Sequence, residues 1–319
     1  MQGLERVVLV HLGGGIGNVV LATPLLWALK EMGFTSDVLL AADYAGTADL
    51  LRSWSAIRNV FPQPQRPALP RDYHHVIPAI PPFYARRFGG AVTGIGKSLR
   101  RPPDELYYSN EQEFYLSFAL QLGYPVDRHP LPSLPIDPAD GMGVTLATVV
   151  LAPGCKTGEM TAKRWPHFPE LADAFDDVAI VGTPDDLRRH DGTEIRFPPH
   201  VRSLVDKLSL RQTAACMAAA GVVVANDSGL GHVAAAVGVP TIMLFGPTPH
   251  QTLGRFPPNV SVLRRGLSCE PCWFKDRFAA CFRRISCLNE LAAEQVSQEI
   301  GHMCLMVSRR RSDSMPLPA

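Results

Sequence analysis

The chain has 319 residues, enough for two domains of about 150 each. Apolar residues make up 46% and charged residues 19%, and the formal net charge is +1, so no bulk electrostatic case exists for nucleic-acid binding. The longest apolar run, residues 214–225, is broken by a glycine and falls well short of the roughly 20 residues that a spanning helix needs. Glu5 and Arg6 are followed by an apolar run of only four residues, 7–10, too short for the core of a secretory leader, so a cytoplasmic protein is expected.

Apolar strand-like runs alternate with helical periodicity along the chain, the pattern of parallel α/β sheets. Residues 7–12 read as a strand and are followed by Gly13-Gly14-Gly15-Ile16-Gly17-Asn18 and a helix over 19–32. A strand over 37–41, a short helix over 48–54, a strand over 76–80 and an amphipathic helix over 111–122 complete the first half. Residues 125–138 are proline-rich and aperiodic, as in a linker. A second series follows, with strands over 145–152, 178–181, 222–225 and 241–245 and helices over 169–175, 210–220 and 231–237. The expected organisation is an N-terminal domain over 1–140, a C-terminal domain over 141–307 and a flexible tail over 308–319.

The glycine cluster fails as a dinucleotide fingerprint. After Gly15 and Gly17 the third glycine position of G-x-G-x-x-G is Val20, and neither Asp37 nor Asp43 sits cleanly as a ribose-binding acid. The stretch Val222 to Pro240 carries more. An apolar strand runs into Asn226-Asp227-Ser228-Gly229-Leu230-Gly231-His232 and then a helix. Asp227 and Ser228 suit helix capping, the glycines allow close approach of a ligand, and a helix N-terminus at a strand's carboxyl end favours anions. His232 adds a donor; the alternative is that Asp227 and Ser228 only cap and His232 is an ordinary helical residue.

Cys269, Cys272, Cys281 and Cys287 cluster near the C-terminus in spacings unlike the paired-CxxC zinc ribbon. A bound metal, reduced thiols and an opportunistic disulfide all remain open for them. An odd total of seven cysteines argues against a full disulfide framework.

Together, the glycine cluster, Lys163-Arg164-Trp165-Pro166 and the Asn226–Pro247 block resemble glycosyltransferase family 9, the ADP-heptose:lipopolysaccharide heptosyltransferases and their relatives. The resemblance runs from about Arg6 to about Val296. It implies a GT-B architecture, two Rossmann-like α/β domains whose parallel sheets face across a cleft. It implies an inverting transferase that moves a sugar, heptose, from ADP-heptose to a lipopolysaccharide-core or related glycan acceptor. A divalent metal is not expected, and no D-x-D pair occurs in the chain to hold one. The partners implied are a nucleotide-sugar donor and a glycan or glycolipid acceptor, with at most peripheral contact at the cytoplasmic face of the inner membrane.

The site residues follow from the same resemblance. Gly15 and Gly17 close over the sugar, Lys163 meets the diphosphate, Asp186 (alternatively Asp185) accepts from the ribose, and Leu208 packs on the base. Asp227, Ser228, Gly229 and His232 complete the donor pocket, with Thr157 and Thr161 as further hydroxyl donors. The family places a proton-accepting aspartate where this chain has Asn18. An amide cannot accept that proton. Either another residue, such as His11 or Asp43, serves as base, or the chain binds sugar nucleotide without transferring. On this reading Asn18→Asp is expected to raise or preserve transfer, and Asn18→Ala to lower it. Trp54, Tyr73, Phe83, Tyr84, Arg86 and Arg87 are candidates for acceptor contact.

Overall fold

The structure is a computed structural model; it describes residues 6–52, 54–63, 69, 72–138, 142–273 and 281–313. The chain divides into two compact units. The first comprises residues 1–137 with 209–214 and 250–257, and the second the remainder.

In the first unit, β1 (Arg6–Gly14) leads into α1 (Ile16–Leu21) and α2 (Thr23–Glu31), followed by β2 (Phe34–Ala42), α3 (Thr47–Leu51), β3 (Ile57–Pro62) and β4 (His75–Ile77). Three helices close it: α4 (Pro82–Phe88), α5 (Asp104–Ser109) and α6 (Glu111–Gln121). The four strands are parallel in the order β3-β2-β1-β4. The helix expected over 19–32 is two helices. Pro24 stands in the first turn of α2, where its missing N–H costs nothing, and the chain breaks at Ala22 just before it. The strand expected over 76–80 ends at Ile77, because Pro78 cannot continue a ladder.

The core of this unit alternates with the β1 pleat. Val8, Val10 and Leu12 pack with Leu25, Leu26 and Leu29 of α2 and Phe114 and Phe118 of α6. Val7 and Leu9 pack on the opposite face with Leu39, Val76 and Val92. Asp37 is fully buried in β2, yet fully partnered: Arg58 donates to both oxygens (3.0 and 2.7 Å), Asn59 to one (3.0 Å) and the Tyr73 hydroxyl to the other (2.8 Å). This network removes Asp37 from any ribose role.

The second unit runs β5 (Val149–Ala152), α7 (Phe168–Ala172), β6 (Val178–Ile180), β7 (Arg202–Ser203), α8 (Leu210–Ala219), whose first turn groups with the first unit, β8 (Val222–Asn226), α9 (Gly229–Ala236), β9 (Thr241–Leu244), β10 (Val260–Leu263), α10 (Ser286–Asn289) and α11 (Ala293–Asp313). Its six strands are parallel in the order β10-β9-β8-β5-β6-β7. Leu151, Val222, Val224, Ile242 and Leu244 pack beneath Trp165, Phe168, Leu288 and Val296. Helix α11 runs on through Asp313, so the stretch read as a tail from 308 begins helical. Among the described residues no helix is long and apolar enough to cross a membrane.

Each sheet has a point where strand order reverses, between β1 and β4 in the first and between β5 and β8 in the second. Ligands of open parallel sheets bind at the carboxyl ends of strands flanking such a point. The glycine cluster follows β1, and the Asn226–His232 turn follows β8. Sheet topology therefore places both sequence motifs at switch points.

Candidate functional site

In the second unit the loop after β5 and the turn after β8 are tied together by Asn226. Its Oδ1 accepts from the Trp165 amide (3.0 Å) and its Nδ2 donates to the Pro153 carbonyl (2.6 Å). That fixes Lys163, two residues before Trp165, beside Asp227. Lys163 Nζ lies 3.1 Å from Asp227 Oδ2, which also accepts from the Thr248 hydroxyl at 2.7 Å. His232 Nε2 lies 3.7 Å from Asp227 Oδ1. Asp227, Ser228 and His232 are all buried. Burial alone would push the Asp227 carboxyl up, but Lys163, His232 and Thr248 overcome it and hold it well below the ordinary carboxylate range. Asp227 is therefore a fixed anion that holds a lysine, a histidine and a threonine around the N-terminus of α9.

Ser228 caps α9, its hydroxyl accepting from the Gly231 amide. Gly229 and Leu230 are only half-buried, which leaves the helix N-terminus accessible. Gly231 has a different task from the one its sequence context suggests. A Cβ there would meet the Asn226 carbonyl oxygen at 2.9 Å and the Ala225 Cβ at 3.2 Å, so this glycine lets α9 lie directly on β8.

Other expected donor residues are placed less directly. Asp186 Oδ2 accepts from the Thr183 amide (2.8 Å) and hydroxyl (2.9 Å), so it caps its own turn after β6. It also presses on Gly154 at the end of β5, where a Cβ would strike its carboxylate. Burial raises its pKa. Asp185 is half-exposed and paired with Arg164 at 2.7 Å. Arg164 is itself buried and clamps the Asp185 and Arg188 carbonyls, which makes it a structural residue of this loop. Leu208 is half-buried in the turn before α8. Thr157 is exposed, while Thr161 is engaged with the Gly158 carbonyl and His190.

The four clustered cysteines line one cavity of the second unit, together with Trp273 and Glu270. Among the described residues no disulfide joins them and no group of three or more metal-ligating side chains is close enough to hold an ion. Burial and the nearby Glu270 push the Cys287 thiol up to about 12.

In the first unit the glycine cluster makes a turn that only glycine allows: Gly14 has φ of 116°. Asn18 is locked three ways. Its Oδ1 accepts from the Gly15 amide (2.9 Å), and its Nδ2 donates to the Tyr107 hydroxyl (3.1 Å) and to Glu111 Oε1 (2.7 Å). Glu111 is buried and also accepts from the Tyr115 hydroxyl. The three-way lock needs an amide, which donates and accepts at once. Gly17 lies half-buried in the first turn of α1.

Of the two substitute bases considered from sequence, His11 is fully buried within β1, and burial lowers its pKa to about 4. Asp43 is exposed at the carboxyl end of β2, with the Tyr84 hydroxyl donating to its Oδ2. Trp54 and Tyr73 belong to the core, whereas Phe83, Arg86 and Arg87 are exposed on α4. Sequence reasoning missed Thr248, Tyr107 and Glu111 as partners of site residues. A buried glutamate opening a helix, one residue after an asparagine cap, was the available signal for Glu111.

Residues 137–281 match the family model for glycosyltransferase family 9 (heptosyltransferase). The chain is 36% identical over 124 residues to lipooligosaccharide heptosyltransferase 2 of Haemophilus influenzae, which is 35% of each chain. It is 35% identical over 108 residues, 30% of each chain, to lipopolysaccharide heptosyltransferase 2 of Escherichia coli. The matched segments thus span about a third of the length of these curated relatives. Its fold is that of the E. coli ADP-heptose lipopolysaccharide heptosyltransferase II structure, with a TM-score of 0.68 at 20% identity over 96% of this chain and 100% of that one. The glycosyltransferase family 9 structure from Veillonella parvula gives a TM-score of 0.70 at 17% identity over 96% and 99%. The resemblance expected from the motifs therefore holds: over residues 137–281 this chain is similar to glycosyltransferase family 9, of the heptosyltransferase type.

Proposed function

We propose that this chain is an inverting glycosyltransferase that moves heptose from ADP-heptose to a hydroxyl of a lipopolysaccharide-core or related envelope glycan. The observation that carries the reading is the Asp227 cluster. Lys163, His232 and Thr248 are gathered by one buried carboxylate at the N-terminus of α9, at the switch point of a parallel sheet, inside the segment that matches the family. Fixed cations and helix N–H groups stabilise the charge that develops on a departing diphosphate. Asp186 in the turn after β6 is the candidate ribose acceptor, and Leu208 the base-packing residue. Similar proteins named as heptosyltransferases, one of them described as an ADP-heptose enzyme, supply the sugar and the base.

The reading includes metal independence. Lys163 and the helix N-terminus take the place of a divalent ion, so turnover is expected to survive EDTA. Loss of turnover in chelator, restored by magnesium or manganese, would contradict it. The chain acts on the cytoplasmic side, with at most peripheral membrane contact through its acceptor. The deciding experiment is calorimetry with ADP-heptose against GDP-, UDP- and dTDP-sugars, followed by transfer of labelled heptose to heptose-free lipopolysaccharide. Selective ADP-heptose binding with transfer is the expected result. No binding to any of the four classes overturns the proposal, and binding without transfer reduces the chain to a sugar-nucleotide binder.

A further inference from the structure

Transfer requires a group that takes the proton of the attacking hydroxyl, and Asn18 cannot take it. Its oxygen and both amide hydrogens are already committed within the protein. Three carboxyl or imidazole groups among the described residues flank the glycine loop. Glu111 is buried under Asn18, bonded to its amide and to Tyr115. His11 is fully buried in β1.

Asp43 stands apart from both. It follows Ala42, the last residue of β2 and the register partner of Gly14, and its own amide donates to the Gly14 carbonyl at 3.0 Å. The ladder thus fixes its backbone beside the glycine turn. Its Oδ2 lies 4.0 Å from the point a Cβ on Gly15 would occupy, and Asn18 Oδ1 lies 3.7 Å from that same point. The carboxylate and the amide therefore flank one recess, which exists because residue 15 has no side chain. That recess adjoins the family's aspartate position. The Tyr84 hydroxyl, on α4, donates to Oδ2 and sets the carboxylate's orientation. Asp43 is exposed, so a proton taken up there can leave to water.

We propose that Asp43 is the catalytic base of this chain, in place of the missing aspartate at position 18, with Tyr84 as its positioning residue. The proposal rests on the transferase reading above. In the step, the acceptor hydroxyl oxygen forms a bond to the anomeric carbon while the bond from that carbon to the β-phosphate oxygen breaks. The bonding pair leaves with ADP, and the hydroxyl proton passes to the Asp43 carboxylate. General-base help of this kind is worth about 10²–10⁴-fold.

The test compares wild type, Asp43→Asn, Asp43→Glu and Tyr84→Phe, with ADP-heptose as donor and heptose-free lipopolysaccharide as acceptor. Asp43→Asn is expected to lose about 10²-fold or more in single-turnover rate at saturating donor, with ADP-heptose affinity within about threefold of wild type. Asp43→Glu should recover part of the loss. Tyr84→Phe should move the acidic limb of the pH–rate profile, a change that a purely structural role would not produce. Asp43→Asn turnover within about threefold of wild type overturns the assignment. A wild type that binds ADP-heptose but neither transfers nor hydrolyses it also overturns the base role, while the donor site stands. A wild type that binds no ADP-heptose removes the transferase reading and the base role with it.

Discussion

Replacing Asn18 by aspartate tests how the glycine loop is held. Resemblance alone leads to the expectation that a carboxylate here helps transfer, but Glu111 changes the sign. Nδ2 of Asn18 sits 2.7 Å from Glu111 Oε1. In Asn18→Asp that contact becomes one between two carboxyl oxygens beside a glutamate that is only 1% exposed. Two full charges at that distance would repel by about 6 kcal/mol at an effective dielectric of about 20. Binding one proton between them is cheaper. Holding a proton at pH 7 on an acid that ordinarily releases it near pH 4 costs about 4 kcal/mol, less what the shared hydrogen bond returns. The variant is therefore expected to be less stable than wild type by about 2–4 kcal/mol at pH 7.

The pH dependence carries the diagnosis. The native variant binds one more proton than its unfolded chain, so its stability falls as pH rises. Between pH 7 and pH 5 the deficit should shrink by about 2.7 kcal/mol, one proton's worth over two pH units. Urea denaturation of both proteins at several pH values reads this directly. A deficit below about 0.5 kcal/mol that does not change with pH would refute the reasoning, because it would mean that the new carboxylate turns away from Glu111 into water.

Lys163→Ala should weaken ADP-heptose binding by about 10–100-fold in calorimetry, the loss of one charge-assisted contact to the diphosphate; unchanged affinity would remove Lys163 from the donor site. Gly231→Ala should destabilise by about 1–3 kcal/mol in thermal or urea unfolding, since its Cβ would press on backbone at Asn226, and a neutral result would mean that α9 shifts freely. Asp37→Ala should cost about 1.5–3 kcal/mol at neutral pH. Burial would raise the Asp37 pKa, but the hydrogen bonds from Arg58, Tyr73 and Asn59 lower it overall. Its contribution is thus present above the unfolded carboxylate pKa and lost as pH falls through the folded value, so the gap between variant and wild type should close in acid; a gap that persists there would mean that packing, not charge, is what Asp37 supplies.

Much of the fold was legible where periodicity is local. The strands at 7–12, 37–41, 222–225 and 241–245 lie inside β1, β2, β8 and β9 or overlap their ends, because each is a run of apolar residues buried on both faces. Strand β10 went unread: it is an edge strand whose residues are only half-buried, so no apolar run announces it. Helix α11 was unread because its sequence is polar and, among its described side chains, only Val296, Ile300 and their neighbours reach the core. Residue 22 ends one helix and opens another because of a proline two positions on, and a periodicity window spans both.

The Asp227 turn of the second unit and the glycine loop of the first differed in the same way. The Asp227 turn declares itself in seven consecutive residues, because capping and anion binding at a helix N-terminus are local chemistry, and its lysine came with its own motif. Only the lysine-to-aspartate contact, 64 residues apart, required the fold, and the strand reversal between β5 and β8 supplies it. In the glycine loop the decisive partners are distant: Glu111 lies 93 residues from Asn18, and Tyr84 lies 41 from Asp43. No spacing rule links those positions. An asparagine in an aspartate's place reads from sequence as a loss. With Glu111 beneath it, the amide is the group that satisfies the loop, since it donates to a buried carboxylate while accepting from Gly15. A carboxylate base at that spot would compete with the glutamate for one proton, and a base on the neighbouring strand end, across the recess at Gly15, would not.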